Sequence, residues 1–309
     1  MRLSLVIALL FTVYYSSAQS TDVSIPFKNF QYQIKGTFLE AETPIGTAAI
    51  IIPGSGPTDR NGNGIGFKSN TYKFLAEHLA ANGISSLRYD KLGVGESVPG
   101  ILEKDLLFYD NVKVAHAVYD FLSQQEGVER IVIIGHSEGS LVGMILSKEV
   151  QPYKYISLAG PAFPAGDVMI TQFKNMPDEE MSKEAVPILE SLKVGKQMEA
   201  KSKMLRSIFR PSVQNYMISW FAYDPRVEIS GLKIPILILQ GDNDIQVANE
   251  NADELAIANP KAKKVFIPNI THVLKDGPRD REGNMASYGS SNVDIDEDVK
   301  KAVIEFILE

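Results

Sequence analysis

The 309-residue chain is 44% hydrophobic and 22% charged, enough apolar content for the core of one large α/β domain or two small ones. Its formal net charge of −7, with no run of like charges, argues against nucleic acid or an anionic membrane surface as a partner. With no cysteine there is no disulfide, no thiolate nucleophile, no thiolate metal site and no anchor for lipid attachment.

The chain opens on a targeting pattern. Arg2 supplies a short positive region, Leu3 to Tyr15 an apolar stretch too short to span a bilayer, and Ser16-Ser17-Ala18 the small residues of a cleavage site. Residues 1–18 are therefore read as a signal peptide cleaved after Ala18, the alternative being an uncleaved anchor. The mature chain, 19–309, is expected to have no stable membrane insertion. An exported protein without disulfides suits a bacterial periplasm or the exterior.

Two strand-like runs in hairpin spacing follow, Val23 to Phe27 and Tyr32 to Leu39. Thr47 to Pro53 is a continuous apolar run of the buried-strand type. Tyr72 to Asn82 has helical periodicity and stops at Gly83, a natural helix end. Ile84 to Tyr89 is a strand, Asn111 to Gln124 an amphipathic helix, and Ile131 to Ile134 and Tyr155 to Leu158 are strands. Ile236 to Leu239 and Val265 to Ile267 complete the set. Strands alternating with helices predict a mostly parallel central sheet flanked by helices.

One region breaks this rhythm. Between Ala159 and Pro235 no buried-strand run occurs, and charged and apolar positions alternate at helical spacing. The segment holds Met169, Met176, Met181, Met198, Met204 and Met217 together with Trp220, the only tryptophan. It is read as a helical cap insertion, about 161–231, over the mouth of the sheet. The methionines either line an adaptable acyl pocket or pack the cap onto the sheet.

The strand 131–134 runs straight into Gly135-His136-Ser137-Glu138-Gly139, and Ser140 to Leu146 is compatible with a helix. G-x-S-x-G between a buried strand and a helix puts a serine hydroxyl on a sharp turn at the carboxyl end of the sheet. The chain thus resembles the α/β-hydrolases. In that fold the serine, an acid and a histidine follow in this order. Of four histidines only His272 lies downstream of both Ser137 and a plausible acid. His78 and His116 fall within helices. His136 adjoins the serine, cannot fold back on it as a base, and is read as shaping the turn. After the strand 236–239, Asp242 and Asp244 both offer a carboxylate. The family pattern puts the acid three residues after Gly241, which selects Asp244 and leaves Asp242 as a turn residue. The negatively charged oxygen formed during acyl transfer needs two backbone N–H donors. They are assigned to Glu138, after the serine, and to Ser55, with Gly56 as the fallback. Gly54-Ser55-Gly56-Pro57 has neither the lysine of a P-loop nor a G-x-G-x-x-G spacing.

Four blocks extend the resemblance over nearly the whole mature chain. They are Ile52 to Asn63, Leu87 to Ser97, Gly135 to Gly139, and Thr271 to Lys275 with Ser287-Tyr288. They resemble the serine aminopeptidase and dienelactone-hydrolase-like group, and within it bacterial carboxylesterases of the Thermotoga esterase type. Asn61 stands where aspartate is usual, and Thr271 where asparagine is common. Neither change removes a catalytic group. Relatives often carry an extra N-terminal domain; with about two dozen residues between the expected cleavage site and the first core strand, that domain is expected to be absent. The resemblance implies a small-molecule ester substrate, short-chain carboxylesterase activity, no cofactor or metal, and a triad of Ser137, Asp244 and His272. A peptidase, thioesterase or lactonase would use the same triad. In the peptidase case Asp178, Glu179, Glu180 and Glu184 could hold an amino terminus, or simply form a solvated helix face. A binding module without catalysis is the remaining class, and the filled triad positions speak against it. Arg60 and Arg88 either bind a substrate carboxylate or form structural salt bridges, the second being favoured.

Overall fold

Ala48, Ile50 and Ile52 turn to one buried face of a central sheet, and Ala49 and Ile51 to the other. That is why residues 48–52 are apolar throughout: a parallel strand covered on both sides has no solvent face. The same split holds for Ile131 and Ile133 against Val132 and Ile134, and for Ile236 and Ile238 against Leu237 and Leu239. The structure, a computed structural model, describes residues 18–27, 32–97 and 102–309. The expected signal peptide, 1–18, lies outside the described residues except for Ala18.

The strands are β1 (Gln19–Phe27), β2 (Tyr32–Glu40), β3 (Thr47–Ile52), β4 (Asn63–Gly64), β5 (Phe67–Lys68), β6 (Ser85–Tyr89), β7 (Arg130–His136), β8 (Lys154–Leu158), β9 (Ile236–Gly241) and β10 (Lys263–Ile267). Eight form one sheet in the order β1-β2-β6-β3-β7-β8-β9-β10. β1 is antiparallel to β2 and β2 to β6, and the pairs from β6 to β10 are parallel. β4 and β5 make a small separate hairpin.

The helices are α1 (Thr71–Ala81), α2 (Phe108–Ser123), α3 (Glu138–Val150), α4 (Ala165–Lys174), α5 (Glu179–Lys193), α6 (Lys203–Ile208), α7 (Pro211–Phe221), α8 (Pro225–Ser230), α9 (Glu250–Ala258), α10 (Arg281–Ser287) and α11 (Glu297–Leu308). Helices α2, α3 and α9 cover one face of the sheet, through Val112, Val118, Leu141, Met144 and Leu255. The other face is covered by α1 and α11, through Leu75, Leu79, Val299 and Val303. This is the mostly parallel α/β-hydrolase architecture. The helices α9, α10 and α11 and the β4–β5 hairpin go beyond the elements legible in the sequence.

Between β8 and β9 the chain forms α4 to α8. Ile170, Phe173, Ile188, Leu189, Leu205, Phe209, Met217 and Phe221 give this segment a core of its own. Trp220 joins it to the main body by stacking on Phe108 of α2, with ring centroids 6.1 Å apart and planes 8° from parallel.

The chain leaves β3 for β6 on one side and later crosses to β7 on the other. Strand order reverses at β3, and the crevice outside the carboxyl ends of strands at such a point is where α/β sheets bind ligands. The loop 53–58 leaves β3 there, and Ser137 follows β7.

Candidate active site

Ser137 has φ 54° and ψ −122°, between the last residue of β7 and the first of α3. A positive φ is strained for a side chain with a Cβ, and its surroundings hold it there. Ser137 N donates to Leu158 O at 3.0 Å, and Ser140 N donates to Ser137 O at 2.9 Å. The flanking glycines are needed for close approach. A Cβ on Gly135 would lie 2.2 Å from Gly139 O, and one on Gly139 would lie 2.3 Å from Ile52 O. The turn is therefore closed by contact with α3 on one side and the end of β3 on the other.

The loop after β9 carries Asp244 and the loop after β10 carries His272. Asp244 Oδ2 lies 2.7 Å from His272 Nδ1, and the two side chains are 1% and 6% exposed. Asp244 Oδ1 accepts from Gln246 N at 2.8 Å and Val247 N at 2.9 Å, and Oδ2 also from Gln240 Nε2 at 3.2 Å. Burial works to raise the Asp244 pKa. The His272 charge and these donors outweigh it and hold the carboxyl below its ordinary range. An ionised carboxylate only accepts, so His272 Nδ1 carries a proton, and in the neutral imidazole Nε2 keeps its lone pair. Ser137 and His272 line the same cleft, of about 200 Å³. No hydrogen bond joins the Ser137 hydroxyl to the imidazole in this structure.

His136 has a separate task. Its Nε2 is 2.8 Å from the main-chain oxygen of His272, and its Nδ1 is 2.8 Å from Tyr72 Oη. A carbonyl cannot donate, so Nε2 bears the hydrogen and Tyr72 donates to Nδ1. Tyr72 Oη in turn accepts from Gly54 N at 2.9 Å. One relay thus ties the loop after β3, the serine turn and the histidine loop. Burial, with the neighbouring His272, lowers the His136 pKa to about 3, so the ring is neutral.

Asp242 does not reach His272. Its Oδ1 accepts from Asn269 N at 2.6 Å, and its Oδ2 lies 3.0 Å from Arg279, so it pins the loop after β10. Ser55 and Glu138 flank the cleft as the two assigned donors. Among the described residues neither N–H has a protein acceptor. Ser55 lines the cleft itself. The Glu138 side chain is buried, 3.7 Å from Lys91 Nζ. His78 and His116 pair with Asp294 and Asp120 on helix surfaces.

Arg60 and Arg88 part company. Arg60 forms a salt bridge with Asp90 at 2.8 Å, and with Glu96 and Asp22, which is the structural reading. Arg88 has no carboxylate partner among the described residues. Its guanidinium donates to the Asn61 side-chain oxygen, its Nε is buried without a partner, and burial lowers its pKa to about 10. The methionines of 161–231 do not line the cleft at Ser137. Met217 is buried in the local core, and Met169 and Met181 pack against it. Met176, Met198 and Met204 are exposed. The walls of the cleft come instead from Phe67, Thr71 and Tyr72 on one side and Gln246, Val273 and Tyr288 on the other. The sequence carried no signal that would bring these walls together: Phe67 lies in β5, Thr71 and Tyr72 open α1, and Gln246, Val273 and Tyr288 come from segments more than 170 residues further along the chain.

The family model described as serine aminopeptidase, S33, matches residues 62–275. The chain is 25% identical over 237 residues to esterase EstD of Thermotoga maritima, an alignment covering 74% of this chain and 55% of EstD. The chain therefore spans about half the length of that curated relative. In fold it is similar to Est1E of Butyrivibrio proteoclasticus, with a TM-score of 0.59 at 18% identity, covering 93% of this chain and 99% of Est1E. It is similar to esterase Pf2001 of Pyrococcus furiosus, with a TM-score of 0.60 at 16% identity, covering 98% and 94% of the two chains. A proline iminopeptidase of Mycobacterium smegmatis matches with a TM-score of 0.62 at 14% identity, covering 93% and 98%. At these identities the structural likeness speaks for the fold.

Proposed function

This chain belongs to the serine aminopeptidase S33 family of α/β-hydrolases, and from that premise we propose that it is an exported serine carboxylesterase acting on small, short-chain esters. The observation that carries the reading is the Asp244–His272 hydrogen bond of 2.7 Å beside a serine held at φ 54° in the same cleft. His272 Nε2 takes the proton of Ser137 as Oγ attacks the ester carbonyl. The negative charge that develops on the carbonyl oxygen is met by the N–H groups of Ser55 and Glu138. His272 then protonates the leaving alcohol, and water, activated by the same imidazole, hydrolyses the acyl-enzyme. Asp244 keeps the ring in the required tautomer throughout. The helices of 161–231 act as a cap beside this site, and the pattern at 1–18 supports export.

The size of the cleft, about 200 Å³, and a lining without Asp, Glu, Lys or Arg support a small neutral acyl group. The resemblance to EstD supports an ester. A second reading, an aminopeptidase, draws on the family model and the iminopeptidase-like fold. It needs an anion near the cleft to hold a free amino terminus. Asp178 caps α5, Glu179 and Glu180 pair with Lys183, and Glu184 accepts backbone N–H groups of Lys201 and Ser202. None of these lines the cleft, which favours the ester.

The test is hydrolysis of p-nitrophenyl esters of increasing acyl length, with Ser137→Ala alongside. Turnover of acetate or butyrate esters that vanishes in the variant is expected. Equal activity in a folded Ser137→Ala protein would refute the reading.

A further inference from the structure

Lys91 is only 7% exposed and sits two residues beyond β6, behind the wall of the cleft. An ammonium is costly to bury without partners, and this one has two. Its Nζ donates to Gly54 O at 2.6 Å and lies 3.7 Å from Glu138 Oε1. On the far side of Glu138, Asn111 Nδ2 reaches Oε1 at 3.5 Å and Tyr216 Oη at 2.7 Å, which brings α7 against the pair. The reaction sequence above uses neither the ammonium nor the carboxylate.

Both partners of Lys91 belong to backbone segments flanking Ser137. Gly54 is held on two sides, its N–H by Tyr72 Oη at 2.9 Å and its carbonyl by Lys91. In a trans peptide unit the carbonyl and the following N–H point in opposite directions. With Gly54 O drawn back to Lys91, the N–H of Ser55 points away from it. Gly54 also packs on the nucleophile so closely that a Cβ there would be 3.2 Å from Ser137 Cβ. Glu138, at the other end of the ion pair, carries the second N–H.

We propose that Lys91 is a positioning residue for the oxyanion hole: by holding the Gly54 carbonyl and the Glu138 carboxylate at once, it sets the aim and spacing of the Ser55 and Glu138 N–H groups. The inference rests on the serine-hydrolase reading of Ser137. Lys91 touches no reacting atom and exchanges no proton in the cycle.

A fluorophosphonate probe tests it without needing the natural substrate. Ser137 Oγ forms a bond to phosphorus, the P–F bond breaks, fluoride leaves, and the seryl proton passes to His272. Charge developing on the phosphoryl oxygen falls in the oxyanion hole, so the labelling rate reads that hole. Lys91→Met is expected to slow labelling on the order of 10- to 100-fold, less than the roughly 100- to 1000-fold loss on deleting a donor. On an ester substrate kcat should fall by the same factor, with KM within about twofold. Lys154→Met is the control. Lys154 is also buried and holds a main-chain carbonyl, Phe306 O at 2.7 Å, away from the cleft. It should lose stability and keep its labelling rate. If Lys91→Met does not fold, Lys91→Met/Glu138→Gln removes the pair as a neutral unit and takes its place in the same measurement. Labelling and kcat at wild-type levels in the folded Lys91 variant, with Ser137→Ala inert, would overturn the role of Lys91 alone. Failure of the wild type to label at Ser137 would overturn both proposals.

Discussion

His136 Nε2 and the main-chain oxygen of His272 lie 2.8 Å apart, so the residue before the candidate nucleophile holds the backbone of the candidate base. The two imidazoles sit with centroids 4.8 Å apart and do different work. His136 is neutral, donates to a carbonyl and accepts from Tyr72. His272 faces the cleft and is oriented by Asp244.

Neutrality of His136 gives the stability a pH dependence. The folded pKa is about 3 against an ordinary 6.5, so the unfolded chain binds a proton that the folded chain refuses. Stability is therefore present above about 6.5 and falls as the pH drops from there towards 3, by at most about 1.4 kcal/mol per pH unit. Denaturant unfolding at a series of pH values should show this slope, and His136→Gln should remove it. Asp244, whose carboxyl is held below its ordinary range, loses its contribution only further towards acid, as the pH falls through its folded value. A slope unchanged in His136→Gln would show that another group is responsible.

Asp244→Asn should abolish most activity without unfolding the protein. Asp244 Oδ1 accepts two backbone N–H groups, so an asparagine would keep its oxygen there and turn its NH₂ towards His272. Nδ1 would then accept, Nε2 would carry the hydrogen, and the ring could not take a proton from Ser137. A loss of kcat of roughly 10⁴-fold is expected, with the thermal transition little changed. The paired measurement is kcat on a p-nitrophenyl ester and the melting temperature.

Gly139→Ala should damage both fold and activity. The added methyl would sit 2.3 Å from Ile52 O and 2.6 Å from Pro53 O, both backbone atoms. The loop after β3 would have to retreat, taking Ser55 with it. A cost of about 3 kcal/mol is expected from such overpacking, read as a shift in the denaturation midpoint.

Asn61→Asp should stabilise the protein. Arg88 is buried with an amide oxygen where a carboxylate would pair with it, and residue 61 is only half-buried, so the new charge keeps part of its hydration. An ion pair in place of a bond from the guanidinium to a neutral acceptor is worth about 1–2 kcal/mol, visible as a higher midpoint at neutral pH. A lower midpoint would mean that desolvation of the carboxylate outweighs the pairing.

The core strands were legible because burial on both faces demands unbroken apolar runs such as Ile50-Ile51-Ile52 and Ile131-Val132-Ile133-Ile134. Ser137 was legible for an equally local reason: the turn that exposes it needs glycine at 135 and 139, and those contacts lie within a few residues of the serine or on the adjoining strand. Helix α11 was less evident. Its Val299, Val303 and Ile307 make sense as a buried stripe only once the face of the sheet that they cover is known.

The amino-acid sequence by itself determined the chain order of the eight strands of the main sheet, the turn at Ser137 and the short set of candidate residues to serve it. These depend on side-chain periodicity and local backbone geometry. Only the tertiary structure put Asp244 2.7 Å from His272 and Asp242 on Asn269 N, joined His136 to His272 and Tyr72, and put Lys91 behind Gly54. Those relations link residues dozens of positions apart. They exist because β3, β6, β7, β9 and β10 run parallel, so the loops after them leave from one end of the sheet, around the point where strand order reverses at β3.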